Sequence, residues 1–214
     1  MSRNRTGRIT ITKEVFIPRN ITVAVSGGVD SMAVLDFLNR NHHVTAAHFN
    51  HGTAHALDAE LLVTKFCKDR SIPLVKGHMG DAKKPPGRSP QDFFREHRYA
   101  FLDRFSETVI TGHHLDDVVE TWIFSSLRGQ SKIIPHIRGN VLRPFLSTRK
   151  SDFEYWCVNH DVPWVEDPSN ASTEYDRGYV RHELVPKALR INPGIHKTLR
   201  RKVEESVRPT SAGL

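Results

Sequence analysis

The sequence predicts an α/β protein: a parallel five-stranded sheet flanked by helices, with a basic helical extension at the C-terminal end. Three observations carry this. Short apolar runs rich in β-branched residues alternate with stretches of helical spacing, the pattern of parallel strands joined by crossover helices. The first run ends in a glycine-rich turn, Ser26-Gly27-Gly28-Val29-Asp30-Ser31, and a helix follows at once. Positive charge gathers at both ends: of the net +7, residues 1–20 hold +4 and residues 177–208 hold +6, which leaves −3 for the region between. The chain therefore divides into a basic arm over 1–20, a main domain over 21–176 and a basic helical extension over 177–214.

The arm shows little periodicity before Ile9–Ile11 and Val15–Ile17, which predicts a disordered start and one short edge strand or hairpin arm. Ile21–Ser26 is an apolar β-branched run, read as a buried strand. Ser31–Arg40 has helical spacing through Met32, Leu35 and Leu38. His43–Asn50 is the second strand, and Ala54–Arg70 a helix expected to turn Leu57, Leu61, Leu62 and Phe66 inward. Pro73–Met79 is the third strand, followed by a polar, basic loop over Gly80–Ser89. Ser89 before Pro90 starts a helix well, as N-cap and first helical residue, and that helix runs to about Phe105. Thr108–His113 is the fourth strand and His114–Arg128 its helix, stopped by Gly129. Val141–Phe145 is the fifth strand, Thr148–His160 its helix, and residues 187–202 form a basic helix.

Composition narrows the function classes. At 214 residues with 38% hydrophobic content, the chain is long enough for one full domain. No apolar run approaches the ~20 residues that span a bilayer, and no signal-peptide pattern opens the chain. Two cysteines, Cys67 and Cys157, exclude a disulfide framework and any CxxC-built zinc or iron–sulfur site from this chain. Both fall within predicted helices and read as core residues. The expectation is a soluble, cytoplasmic protein without membrane contact. The basic ends suit a phosphate backbone, with solvated charged faces as the plain alternative.

In a parallel sheet, ligands bind at the carboxyl ends of the strands, so chemistry should sit at the strand-to-helix turns. The first turn has two glycines that bring backbone N–H groups close to a ligand, a helix N-terminus that attracts anions, and two serine hydroxyls. It is neither GxxxxGK[ST] nor GxGxxG. Asp30 is the odd residue in an anion cradle. A carboxylate there is costly unless it holds Mg²⁺ or a cationic group. The bland reading is a glycine turn with Asp30 as a helix cap.

SGGVDS resembles the PP-loop of the ATP pyrophosphatases, Rossmann-like enzymes that cleave ATP between the α and β phosphates. The resemblance implies that Ser26, Gly27, Gly28, Val29, Asp30 and Ser31 bind ATP, with Mg²⁺ at Asp30. Further segments narrow it: His48-Phe49-Asn50-His51-Gly52; Arg95 and Arg98-Tyr99; Gly112-His113-His114-Leu115-Asp116-Asp117-Val118-Val119-Glu120-Thr121; Arg143-Pro144; and Glu166-Asp167-Pro168-Ser169-Asn170 followed by Tyr175, Arg177, Arg181 and Leu184-Val185-Pro186. Their order and spacing over residues 21–190 are similar to the tRNA(Ile) lysidine synthetases. On a helix, His113, Asp117 and Glu120 share one face at i, i+4 and i+7, while Leu115, Val118, Val119 and Trp122 form the core face.

That family adenylates the C2 oxygen of the wobble cytidine in a CAU-anticodon tRNA(Ile) and then attaches free L-lysine. The resemblance implies His113, Asp117 and Glu120 as catalytic groups with Asp30. Asp117 and Glu120 would take the lysine amines, and Arg95 or Arg177 the α-carboxylate. Arg177, Arg181 and the basic helix with Arg200, Arg201 and Lys202 would hold the tRNA. His48 and Phe49 would line the nucleotide pocket, with His51 undecided. Arg143 reads equally as a structural residue.

Some positions depart from the family's pattern. Gly112 stands where Ala is common, Gly178 where Asn is frequent, and Gln91 where an acid is usual. Members usually continue into further C-terminal domains, whereas only ~25 residues follow the match here, too few for another domain. The expectation is a short form, with homodimerisation left open. The alternatives are a PP-loop tRNA thiolase, or a non-catalytic tRNA- or nucleotide-binding protein left by domain loss.

Overall fold

The computed structural model describes residues 7–53, 56–80, 82–167, 173 and 175–207. Strand β1 (Asn20–Ala24) leads into helix α1 (Val29–Asn39), then β2 (His43–Asn50), α2 (Ala56–Asp69), β3 (Leu74–His78), α3 (Pro90–Leu102), β4 (Val109–Ile110) and α4 (Leu115–Ser126). Two short strands, β5 (Ile137–Arg138) and β6 (Val141–Leu142), precede α5 (Lys150–Asn159). A helical tail follows: α6 (Asp176–Tyr179), a π-helical segment (Val180–Leu184), α7 (Val185–Ile191) and α8 (Ile195–Val207).

The sheet has six strands in the order β3-β2-β1-β4-β6-β5. Five are parallel; β5 pairs antiparallel with β6 and is the strand that sequence reasoning missed. Two residues leave too little periodicity to read. The expected run Val141–Phe145 is cut short because Pro144 has no N–H for a ladder, and Phe145 drops into the core. From β1, strands β2 and β3 lie outward on one side, and β4, β6 and β5 on the other. The sequence order therefore reverses between β1 and β4, and the turns after these two strands face one crevice.

The main core packs β1 and β2 with α1, α2 and α5 through Val23, Met32, Leu35, Phe66 and Phe153. Ile9 and Ile17 of the arm join this core. The described arm residues before Asn20 form no strand. They lie as irregular chain along the segment before α5, with Thr12 N–H donating to the Pro144 carbonyl (2.7 Å) and Thr10 N–H to Thr148 Oγ1 (2.9 Å).

Helix α2 is rotated from its expected setting. Leu57 and Leu61 are 60% and 61% exposed, while Ala59, Val63, Phe66 and Cys67 face inward. The first turn dictates this. A Cβ on Gly27 would lie 3.0 Å from Ala59 Cβ, so the helix needs its small residue where it crosses the turn. Leucine at that contact would not fit.

Asp36 ties three elements together from beneath. Its carboxylate accepts from Arg40 (2.9 Å) and from Trp156 Nε1 of α5 (3.1 Å), and Arg70 after α2 lies 3.4 Å away.

The stretch 187–202 is not one helix but falls on two, α7 and α8, because Asn192-Pro193-Gly194 breaks it. Helix α8 lays Ile195, Leu199 and Val203 onto Leu115, Val118 and Val119 of α4, forming a second core cluster. Lys197, Arg200, Arg201 and Lys202 face solvent. The π segment has a local cause. Pro186 cannot give an N–H to the carbonyl four residues back, and Val185 N–H reaches the Val180 carbonyl instead.

Candidate functional site

The first turn is knitted by its own serines. Ser26 N–H donates to Ser31 Oγ (3.1 Å), and Ser31 Oγ donates to the Gly28 carbonyl (2.9 Å). Gly27 takes φ +89°, a left-handed conformation that L side chains rarely adopt. Gly28 caps α1, so Asp30 lies within the first helical turn and is not the cap. The N–H groups of Val29, Asp30 and Ser31 precede the first helical hydrogen bond, Met32 N–H to the Gly28 carbonyl, and remain available to an anion.

Asp30 crosses the crevice. Its Oδ2 lies 3.6 Å from Nε2 of His114, the N-cap of α4, while its Oδ1 is buried without a hydrogen-bond partner. An unsatisfied carboxylate oxygen beside an anion cradle suits a divalent cation that a nucleotide carries with it. Mg²⁺ commonly takes only one or two protein carboxylates alongside phosphate oxygens. Among the described residues no group of three or more His, Cys, Asp or Glu forms a metal cage.

The β4–α4 turn supplies the opposing wall. Helix α4 begins at Leu115, so His113 precedes it and does not share a helical face with Asp117 and Glu120. His113 and Asp117 nevertheless both line the cavity. His113 Nδ1 is 2.9 Å from Thr111 Oγ1, and burial pushes its pKa down to about 4, so the ring is neutral. Glu120 has turned away. Its buried carboxylate accepts from Arg181 Nε (2.8 Å), whose position the π segment sets. Arg181 is thus paired with an acid, although 45% of its side chain stays exposed.

His114, to which sequence reasoning assigned no role, is the hub. Burial works against its charge, but the carboxylates of Asp117 (3.5 Å), Asp30 (3.6 Å) and Asp116 (3.9 Å) outweigh it and push its pKa up to about 9. Asp116 is in turn held by His196 of α8 (3.0 Å), the Lys150 N–H (2.8 Å) and Arg149 (3.2 Å), which keep it well below the usual carboxylate range against the effect of burial. The folded pKa of His114 lies above its ordinary 6.5. This charge pairing therefore stabilises fully below about pH 6.5 and is lost as pH rises through about 9. The contribution is of order 3 kcal/mol. Melting temperatures taken from neutral pH to about 9.5 should fall in the native chain and stay flat by comparison in His114→Asn. Equal slopes would mean that His114 is uncharged.

A cavity of about 840 Å³ opens between these walls. The first turn supplies Ser26, Gly28, Asp30 and Ser31; β2 supplies His48 and Phe49, with His51 just after it; the last stretch before α6 supplies Glu166 and Asp167. Arg95, Arg98 and Arg177 line it as well, bringing cations from α3 and α6. Arg143, by contrast, is structural: fully buried, it donates to Tyr99 Oη (3.0 Å) and the Pro135 carbonyl (2.8 Å). Arg200, Arg201 and Lys202 do not line the cavity and lie on the outer face of α8. Both cysteines are buried outside the cavity, as expected of core residues, with thiols pushed up by burial to about 11 for Cys67 and about 12 for Cys157. Pro168, Ser169 and Asn170 lie outside the described residues. Asp92 and Phe94 also line the cavity. Sequence reasoning passed over both, because the spacing of α3 alone does not say which face meets the crevice.

An anion-cradling turn that meets a second strand-end turn where the strand order reverses defines a nucleotide-binding α/β protein. The PP-loop domain matches residues 4–188, and the chain belongs to that family. It is 31% identical over 202 residues to a tRNA(Ile)-lysidine synthase of Thermotoga maritima, covering 86% of this chain and 49% of that one. It is 31% identical over 200 residues to a tRNA(Ile)-lysidine synthase of Vibrio parahaemolyticus, covering 85% and 45%. The chain therefore spans about half the length of the curated relatives it matches. Among solved structures, the U34-tRNA thiolase NcsA from Methanococcus maripaludis with its [4Fe-4S] cluster shares the fold, with a TM-score of 0.73 at 18% identity over 97% of this chain and 76% of that one. No helix among the described residues is long and apolar enough to cross a membrane.

Proposed function

We propose that this chain is an ATP-dependent tRNA-modifying ligase that adenylates the wobble cytidine C2 oxygen of a CAU-anticodon tRNA(Ile) and joins L-lysine to that carbon, giving lysidine. One observation carries the reading: the phosphate-cradling turn, the His113/Asp117 wall and the arginines of α3 and α6 line a single cavity. The cytidine C2 oxygen attacks the α-phosphate and pyrophosphate leaves. The lysine ε-amine then adds at C2, AMP departs with the oxygen, and the amine's proton passes to a base.

The chain's residues divide this work. N–H groups of the first turn hold the leaving pyrophosphate. Asp30 would hold Mg²⁺, which when bound would offset the charge developing on the leaving group. Asp117 faces the cavity and is our partner for a lysine ammonium. Glu120 joins it only where Arg181 gives way. Neutral His113 stands beside Asp117 as acceptor for the amine's proton. Arg95 and Arg177 offer forks for a carboxylate or a phosphate. Cytosine must be unstacked to enter. The buried, high-pKa thiols favour an amine over sulfur as the second nucleophile. The cytoplasm, where tRNA is modified, is the expected setting.

The test is incorporation of radiolabelled L-lysine, with Mg-ATP, into unmodified CAU-anticodon tRNA(Ile). A C-to-U anticodon variant serves as the control. Label entering only the unaltered tRNA supports the reading. No label, from folded protein that binds ATP, overturns it for this chain. A second measurement locates the tRNA. Replacing Arg200, Arg201 and Lys202 by Ala should weaken binding and reduce the slope of log affinity against log salt by about 2 to 3. An unchanged slope would move the contact off α8.

A further inference from the structure

Helix α6 and the π segment meet α4 through contacts that carry charge. Arg128, just past α4, donates to the Asp176 carboxylate (3.0 Å). The Arg177 guanidinium stands 5.7 Å from the centre of the Phe124 ring, and Arg181 Nε donates to Glu120 (2.8 Å). The two sides of this last pair differ. The carboxylate of Glu120 is buried, one turn of α4 beyond Asp117, whereas solvent reaches Arg181. Burial works against the charge of Arg181, but the carboxylates of Glu120, Asp117 and Asp30 outweigh it and push its pKa up. The guanidinium thus stands in the field of the site's acids without lining the cavity. Arg177, four residues earlier, does line it. Segments of π-helix fall often at functional sites, and this one sets where Arg181 meets Glu120.

The pair resists the removal of either partner alone. Drawing the guanidinium off would leave a buried carboxylate uncompensated, which is strongly unfavourable. A second cation brought to Glu120 while Arg181 stays would meet like charge at close range. Both costs are offset only when two exchanges occur together: an anion takes the accessible guanidinium while a cation takes the buried carboxylate. The two larger partners of the proposed reaction carry these charges. The tRNA backbone presents phosphates, for which a guanidinium is a strong fork-shaped partner. Free lysine presents ammonium groups. Asp117 offers lysine its first carboxylate, and Glu120 is the second once it is released.

We propose that the Glu120–Arg181 pair is an exchange latch: a phosphate of the tRNA takes Arg181, an ammonium of lysine takes Glu120, and the two substrates therefore bind cooperatively. The proposal rests on the cavity taking lysine beside a bound tRNA, and it adds how each substrate senses the other. Lysine alone is held weakly, so the amine site fills only once the RNA is in place. The coupling is reciprocal, each substrate tightening the other by the same factor.

The test is calorimetric titration of L-lysine into the full chain, alone and with saturating unmodified CAU-anticodon tRNA(Ile). An ATP analogue with a methylene group between the α and β phosphates is present throughout, so that no pyrophosphate can leave. The native chain should bind lysine at least about tenfold more tightly with tRNA than without it. Arg181→Gln keeps a hydrogen-bond donor near Glu120 and removes the competing cation. Its lysine affinity should be the same within about twofold in the two states, and close to that of the native chain with tRNA. If Arg181 acts only through its general field, lysine affinity rises in both states and the ratio between them stands, which overturns the proposal. A native chain whose lysine affinity is unchanged within about twofold by tRNA also overturns it, and that result needs no variant should Arg181→Gln fold poorly. Titrating tRNA with and without lysine checks the native result, since the same factor must return. A native chain that binds tRNA and takes up lysine in neither state overturns the reading of the cavity as a lysine site, and the latch with it.

Discussion

Asp30→Asn is expected to abolish pyrophosphate release from ATP, by about a thousandfold or more, while the protein melts within a few degrees of the native chain. The two halves of that expectation have separate causes. Asparagine keeps the shape of the side chain, so the first turn of α1 and its serine hydrogen bonds need not move. It also relieves a buried carboxylate oxygen that has no partner, which offsets the lost attraction to His114 at 3.6 Å. What disappears is the negative charge at the anion cradle, the feature that would hold a cation against the departing phosphates. Pyrophosphate release is followed with lysine and tRNA present, and a thermal melt is the control. Near-native turnover would remove Asp30 from the chemistry. A collapsed melt would make it structural instead.

Leu199→Ala should produce the largest loss of stability among single changes in the tail, about 3 kcal/mol. Leu199 is buried on α8 against Leu115, Val118 and Val119, the inward stripe of α4. Truncation removes three buried carbons and leaves a cavity where the two helices meet. Leu199→Met, which conserves volume, should cost less than about 1.5 kcal/mol. Denaturant titration measures both. A loss below about 1 kcal/mol for the alanine variant would mean that α8 does not rest on α4 in solution. The change should also loosen Asp117 and His114, because α8 holds Asp116 through His196.

Local geometry was legible in the sequence; long-range partnership was not. The run from Ser26 to Ser31 turns where its glycines say, and its two hydroxyls close on each other because they sit within one turn. His113 and Asp117 reached the same cavity although the assumed helical face was wrong, since the turn before a helix already points its residues toward the strand ends. Glu120 failed as an open carboxylate because its partner, Arg181, is 61 residues away and is aimed by a π turn that only Pro186 hints at. The inward face of α2 held at Leu62 and Phe66 but was misjudged at Leu57 and Leu61, because leucines are more apolar than Ala59. Yet steric room at Gly27, and not hydrophobicity, chose the side. The role of His114 was hidden for a similar reason. Three carboxylates converge on it, and Asp30 among them comes from a different strand end.

The contact between the two turns has one further consequence. A Cβ on Gly112 would meet the backbone of Asp30 at 3.2 Å, so the halves of the crevice touch through bare main chain. Nothing soft lies between them to absorb error. One methyl group at this position would act as a shim, holding the cradle a few tenths of an ångström from the opposite wall. The spacing of the two turns at this one contact is thus set by a residue that has no side chain and carries no charge, and a survey confined to reactive groups would never include it.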